Sequence, residues 1–375
     1  MHLNIPGKPW RKDKKPRRIL AIRLQAMGDL VITLPYLQQL RNSLPPDTRL
    51  DLLTRKEVDA IPRELELFDK VYSFGGGWNT KLQLILTGLL LPLLWLRRYE
   101  VVIDLQNNIV SKLARKCLLP KAWSEFDRFS PIPAGESTRL TIEAIGLGDC
   151  PLGRGTGLRL KKPQAAIDLL KANGWDSTKE LVVLNPAGAF PTRNWGRSNY
   201  VQFASLWLQN RPNTQFLILG TKFISAKADW LTQELSPHLI NLTGKTTPAG
   251  AFAVLQQTTL VLSEDSGLMH MAWVSGIPTI ALFGSTRSDR ARPLGDRALL
   301  LDSSDLACGN CMLRECPYGD TPCLSRYTPA MVFEKAVMLL QSSNPAAKQT
   351  NTPFPASAGQ ASVRNEYGTN ALKTR

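Results

Sequence analysis

Short apolar runs alternate with stretches of helical spacing along most of this chain. Residues 18–23, Arg-Ile-Leu-Ala-Ile-Arg, form a β-like run, and beyond 24–29 Leu30, Leu34, Leu37 and Leu40 recur at helical spacing. The pattern predicts a strand, a loop and a helix. Residues 50–54 and 71–74 read as further strands, and 101–106 is an apolar run closing on polar residues, as a buried parallel strand does on reaching a sheet's C-terminal edge. From 131 to 163 the chain turns rich in Gly, Pro and charge, around one helix predicted near 138–145.

A second series follows, with strands at 181–185, 215–219, 239–242, 260–263 and 279–283. Helices are predicted between them at 200–210, 226–235, 249–256 and 268–275, and a closing helix at 329–341. Such alternation implies parallel sheets with right-handed crossovers, hence an α/β protein. At 375 residues the chain is long for one domain and suits two. The expected division is a basic, disordered N-terminus at 1–17, one Rossmann-like domain at 18–160, a second at 161–342, and a tail at 343–375 whose Ser, Asn, Pro, Ala and Gly cannot offset their ordering entropy.

Charge alters this picture less than its total suggests. The formal net charge is +15, but Lys8, Arg11, Lys12, Lys14, Lys15, Arg17 and Arg18 face only Asp13 at one end, and the tail carries a further excess. Such a cluster suits a solvated tail or an anionic docking patch, and anionic lipid attracts it as readily as nucleic acid does. Interleaved aromatics and nucleic-acid-reading motifs are missing, so membrane surface ranks above nucleic acid as a partner. The first 18 residues have no apolar core of the kind translocation needs, which leads us to expect a cytoplasmic protein. The apolar stretch 82–96 is broken by Gln83, Thr87, Gly88 and Pro92 and is too short to span a bilayer. A buried helix is the preferred reading; the Leu/Trp content followed by Arg97-Arg98 also permits an interfacial one.

Three turns can carry chemistry. In Ser263-Glu264-Asp265-Ser266-Gly267-Leu268-Met269-His270 a buried strand runs straight into a helix, whose first N–H groups lack partners and whose dipole favours an anion. Ser266 can add a hydroxyl donor, and Gly267 allows a phosphate close to the backbone. Asp265 is either the helix N-cap or a carboxylate aimed at sugar hydroxyls. His270, one turn inside, is either structural or within reach of the same pocket. After the strand at 181–185, Asn185-Pro186-Ala187-Gly188 leads to Arg193, whose fork geometry would suit a diphosphate. In the first half, Met27-Gly28-Asp29 occupies the equivalent strand-to-helix position without the GxGxxG dinucleotide pattern. There Asp29 is either an N-cap residue or a cleft-facing carboxylate able to take a proton as general base.

With Met27-Gly28-Asp29, the Asp104-Leu105-Gln106 strand end and Asp265-Ser266-Gly267-Leu268-Met269-His270, followed by Gly276-Ile277-Pro278 and Phe283-Gly284-Ser285-Thr286, the chain resembles glycosyltransferase family 9 over residues 18–340. This is the bacterial heptosyltransferase family of lipopolysaccharide core biosynthesis. The resemblance implies a GT-B fold, two Rossmann-like domains facing across a cleft, and inverting sugar transfer from a nucleoside diphosphate. It makes Asp29 the general base and puts Arg193 on the donor phosphates, Ser266 and Gly267 in the phosphate turn and Asp265 on the donor sugar. It also implies that no metal or other cofactor is needed, an ADP-sugar, ADP-heptose by preference, being a substrate. The acceptor would be a lipid A-linked glycan at the cytoplasmic face of the inner membrane. Two departures stand out: Gly220-Thr221-Lys222 lacks an acidic residue for the ribose, and Arg193 replaces a lysine common in the family.

Cys308, Cys311, Cys316 and Cys323 are spaced so that zinc, an occasional disulfide or plain thiols all fit, and plain thiols are preferred. The alternatives to the heptosyltransferase reading are transfer of another sugar to another glycan or glycolipid and a non-catalytic nucleotide-binding module.

Overall fold

The computed structural model describes residues 5–152 and 157–343. The expected tail from 344 onward lies outside the described residues. Within them run two six-stranded sheets. The first has the order β1-β6-β5-β2-β3-β4, from β1 (Gly7–Lys8), β2 (Arg18–Ile22), β3 (Arg49–Arg55), β4 (Lys70–Phe74), β5 (Val101–Asp104) and β6 (Ala122–Glu125). Only β1 runs antiparallel to its neighbour. Its helices are α1 (Met27–Asn42), α2 (Ala60–Glu64), α3 (Thr80–Leu96), α4 (Ile109–Leu118) and α5 (Ala134–Glu143).

After α6 (Gln164–Ala172) the second sheet takes the order β12-β11-β10-β7-β8-β9 and is parallel throughout. Its strands are β7 (Glu180–Asn185), β8 (Thr214–Ile218), β9 (Leu239–Asn241), β10 (Leu260–Glu264), β11 (Thr279–Leu282) and β12 (Ala298–Leu301). The helices are α7 (Arg197–Asn210), α8 (Ser225–Leu235), α9 (Pro248–Leu255), α10 (Gly267–Val274), the short α11 (Ser288–Ala291) and α12 (Pro322–Ser325), and α13 (Pro329–Ser343). Every predicted strand is present within two residues of its expected ends.

Strand alternation feeds separate cores. Ile19 and Ala21 of β2 enter the same large core as Leu181 and Val183 of β7, whereas Leu20 and Ile22 pack beneath α3 and α4. Val182 and Leu184 face a third core under α7 and α13. The large core spans both sheets because α1 and α10 pack against each other between them. Their N-termini, each just beyond a sheet's C-terminal edge, are therefore neighbours.

Two expectations are corrected. Residues 5–17 join the fold: Gly7 and Lys8 pair with Ser124 and Trp123, Trp10 packs on the large core, and Lys15 Nζ donates to Leu147 O at 3.1 Å. Composition predicts a solvated tail there because charge dominates it, but pairing to an edge strand needs backbone, not apolar side chains. Nor is α3 a buried helix. Leu82, Ile85, Leu89, Leu93, Trp95 and Leu96 are exposed, and its covered side is Gln83, Thr87 and Leu94. Apolar length does not reveal which side of a helix finds a partner. Among the described residues no helix is long and apolar enough to cross a membrane.

Candidate functional site

In open α/β sheets ligands gather where strand order reverses, beyond the strands' C-terminal ends. In the first sheet that point lies between β2 and β5, and in the second between β7 and β10. All three chemistry-bearing turns sit at these two positions.

At the first, the side chain of Gln106, just past β5, accepts from the N–H groups of Leu24 and Gln25, both at 2.9 Å, fixing the turn after β2. The Asp29 carboxylate accepts from Ala26 N–H at 3.1 Å and pairs with Arg23 Nη2 at 3.0 Å, with 43% of its side chain exposed. It opens into a cavity of about 330 Å³, also lined by Trp78, Phe126, Arg128 and Arg290. Arg23 is buried and donates through Nη1 to Leu105 O, and burial lowers its pKa against the pull of Asp29 and Asp104. Arg23 Nε and the hydroxyls of Ser130 and Ser137, all around this cavity, are buried without a partner among the described residues. A polar ligand in the cavity would satisfy them.

At the second, Ser266 rather than Asp265 is the N-cap of α10. Its Oγ accepts from Met269 N–H at 3.3 Å, and from Asn185 Nδ2 at 2.8 Å across the switch point. Asp265 Oδ2 takes Arg193 Nη2 at 2.9 Å and Thr286 Oγ1 at 2.7 Å, while Oδ1 has no partner among the described residues. Arg193 Nη2 also donates to Asp265 O, and Arg193 Nε is buried and unpartnered. A Cβ on Gly267 would meet open space, and that space belongs to a second cavity of about 450 Å³ shared with Asn185, Ser266, Thr221, Thr247 and Met271.

The loop carrying Arg193 is held from below. Buried Glu264 accepts from Gly188 N–H at 2.6 Å and Trp195 N–H at 2.8 Å. Burial pushes its pKa up to about 7 against those two bonds and Lys227. The loop then folds back on itself so tightly that a Cβ at Gly188 would lie 2.4 Å from Arg193 O, and one at Gly284 would lie 1.9 Å from Thr192 O. Both close approaches require glycine.

His270 joins the two halves. Its ring lies against Gly28, where an added Cβ would come 3.4 Å from Cδ2, and Nδ1 accepts from Trp273 Nε1 at 3.2 Å. Burial lowers its pKa, opposed by Asp265 and Asp29, so the neutral ring with its proton on Nε2 is favoured. On the first turn of α1, Met27 lines the second cavity and Asp29 the first.

Sequence reasoning passes over Arg23, Gln106, Asn185, Glu264, Thr247 and Thr286 as working parts. For Thr247 a signal exists: Thr followed by Pro is an N-cap with Pro at N1, and Thr247 indeed accepts from Gly250 N–H at 3.0 Å at the start of α9. Arg23 and Glu264 announce themselves only as charges at the ends of apolar strands. The four clustered cysteines line a 210 Å³ cavity behind Thr192 and Ser285. All are free thiols, Cys323 pushed up to about 11 by burial, and among the described residues no group of three or more His, Cys, Asp or Glu is arranged to hold a metal ion.

The model of the family described as glycosyltransferase family 9 (heptosyltransferase) matches residues 137–321. A lipooligosaccharide heptosyltransferase 2 of Campylobacter jejuni is 28% identical over 171 residues, 44% of this chain and 53% of that protein. One from Haemophilus influenzae is 32% identical over 119 residues, 30% and 33% of the two chains. The chain thus spans about half the length of the Campylobacter relative and a third of the Haemophilus one. Among solved structures, a family 9 glycosyl transferase from Veillonella parvula superposes with a TM-score of 0.71 at 18% identity, over 86% of this chain and 97% of that one. E. coli heptosyltransferase WaaC with ADP-2-deoxy-2-fluoro heptose gives 0.61 at 17%, over 86% and 99%. These likenesses establish the GT-B arrangement of the two sheets.

Proposed function

We propose that the chain is an inverting heptosyltransferase of glycosyltransferase family 9, moving heptose from ADP-heptose onto a lipid A-linked core sugar of lipopolysaccharide; the family model over residues 137–321 and the heptosyltransferase relatives support this. One observation carries the reading: a half-exposed carboxylate, Asp29, and an anion-ready helix start, Ser266-Gly267, stand at the switch points of two sheets whose helices α1 and α10 touch through Gly28 and His270.

In this reading ADP lies in the second cavity with its diphosphate at the N-terminus of α10. The free amides there and the Ser266 hydroxyl meet the charge that develops as the bond to the sugar breaks, with the Arg193 guanidinium held beside this turn by Asp265 rather than in the cavity lining. These groups supply the stabilisation a metal ion would otherwise give, so none is required. Oδ1 of Asp265 is left for a donor-sugar hydroxyl. The acceptor hydroxyl enters the first cavity, gives its proton to Asp29 and attacks the anomeric carbon from the face opposite the departing ADP. Arg128 and Arg290 in the same cavity suit an acceptor carrying phosphate or carboxylate. The heptose donor is supported by the neighbouring enzyme bound to an ADP-heptose analogue. A lipid-linked acceptor requires work at the inner membrane surface.

The test is product formation from a panel of ADP-, UDP- and GDP-sugars with a lipid A-linked core acceptor. ADP release that depends on both ADP-heptose and acceptor is expected. Equal turnover of a UDP- or GDP-sugar would remove the donor assignment, and ADP binding with no turnover on any acceptor would leave a nucleotide-binding module.

A further inference from the structure

The helix α3 is apolar on the side turned away from the protein. Beyond its first turn its polar side chains face inward: Gln83 Nε2 donates to Gly77 O at 2.7 Å, and the buried Thr87 hydroxyl has no partner among the described residues. Leu82, Ile85, Leu89, Leu93 and Leu96 form one stripe on the outside at helical spacing, Leu89 73% and Leu96 74% exposed. The neighbouring α4 extends the apolar surface with exposed Ile109 and Leu113, and Leu119 follows it. Soluble chains seldom leave a contiguous apolar surface of this kind to water unless something else covers it.

Charge indicates what covers it. From Thr80 to Arg98 there is no acidic residue, and the stripe is framed by Lys81 at one end and Arg97 and Arg98 at the other, with Lys116 on α4. Among the described residues none of these four cations forms an ion pair within 4 Å, although the half-buried Arg97 shares a cavity with Asp51 and Asp69. A second copy docking through the same face would set these cations against their own equivalents with no acid between them. An anionic bilayer answers both halves of the pattern: acyl chains receive the leucines and tryptophan, and headgroup phosphates receive the cations.

Position adds a third argument. Trp78, 85% exposed and just ahead of α3, lines the cavity into which Asp29 opens. We propose that the α3 face, from Trp78 to Arg98, seats the protein on an anionic phospholipid bilayer, so that the acceptor cavity opens at the membrane plane. This deepens the lipid-linked acceptor reading, but its test needs no sugar.

The full chain is mixed with vesicles of phosphatidylcholine alone or with 30% phosphatidylglycerol, and binding is read by co-sedimentation and tryptophan fluorescence. Binding is expected only with phosphatidylglycerol, with a blue shift from Trp78 and Trp95 and weakening by added salt. The double variant Leu89→Glu/Leu96→Glu should bind about tenfold or more weakly, as should Arg97→Gln/Arg98→Gln. Both sites of the first variant are exposed, so unchanged denaturation and unchanged ADP affinity should accompany the loss. Wild-type binding that is absent, or undiminished in both variants, overturns the proposal. A wild-type dimer in light scattering that Leu89→Glu/Leu96→Glu disperses would assign the face to a second copy instead. Vesicle binding lost on Leu89→Glu/Leu96→Glu, with no sugar transfer by wild type, would keep the surface and discard the transferase reading.

Discussion

The turns after β2 and after β10 share a plan, since each leads from a sheet's switch point into a helix that packs against the other's. Their carboxylates are used in opposite ways. Asp29 keeps two bonds and almost half its surface free, facing a cavity ringed with unpartnered polar groups. Asp265 is 13% exposed, locked by Arg193 and Thr286, and stands on a Glu264 that fastens the adjoining loop. One turn is left open and the other is built in advance. In the proposed reaction the first would supply the base that moves a proton and the second the groups that receive a diphosphate, which act best when already fixed.

The contrast can be broken at four points. Asp29→Asn should reduce turnover by about 10²–10⁴-fold with ADP affinity unchanged, read by steady-state kinetics beside calorimetric titration. A loss of ADP binding would mean that this turn, too, is structural. Arg193→Ala should weaken ADP binding by about 10- to 100-fold, the loss of hydrogen bonds to a charged group, and leave Asp265 without its partner. The third test is pH. Glu264 is raised from 4.5 to about 7 in the folded protein, so its stabilising contribution is full below about 4.5 and is lost as pH rises through 7. His270, lowered by burial, contributes in the other sense, with stability present above its unfolded value of about 6.5 and lost as pH falls below it. Urea titrations from pH 5 to 8 should therefore show Glu264→Gln less dependent on rising pH than wild type; an identical slope would show Glu264 to be ionised throughout. The smallest effect is expected for Ser266→Ala, about 1 kcal/mol of stability from the lost cap, by urea denaturation.

The parallel strands were legible in the sequence because burial on both faces writes a continuous apolar run, as in Ile19 to Ile22 or Leu181 to Leu184. The short edge strands β1 and β6 were not, since two to four residues, half-covered or exposed, leave no such run. In the site, Asp29, Arg193 and Ser266 could be picked out because a strand-to-helix turn has a local signature. Whether Asp265 or Ser266 caps α10 could not, because the answer depends on Arg193, 72 residues earlier, taking the Asp265 carboxylate. Arg23 and Gln106 likewise act on backbone far from them in sequence. The outward direction of the α3 leucines depends on which side of the helix the rest of the domain covers.

The two residues of β1 have a consequence out of proportion to their length. Glu125 N–H donates to Pro6 O at 2.9 Å, and Gly7 and Lys8 cover the outer edge of β6. Without them, that edge would present open N–H and C=O groups to any passing strand, the template from which aggregation between chains begins. A Cβ at Gly7 would stand 2.9 Å from Trp123 O, so even this small closure is shape-specific. The basic segment that reads as a detachable tail thus guards the sheet against self-association, and a truncation meant only to remove charge would also leave the protein sticky.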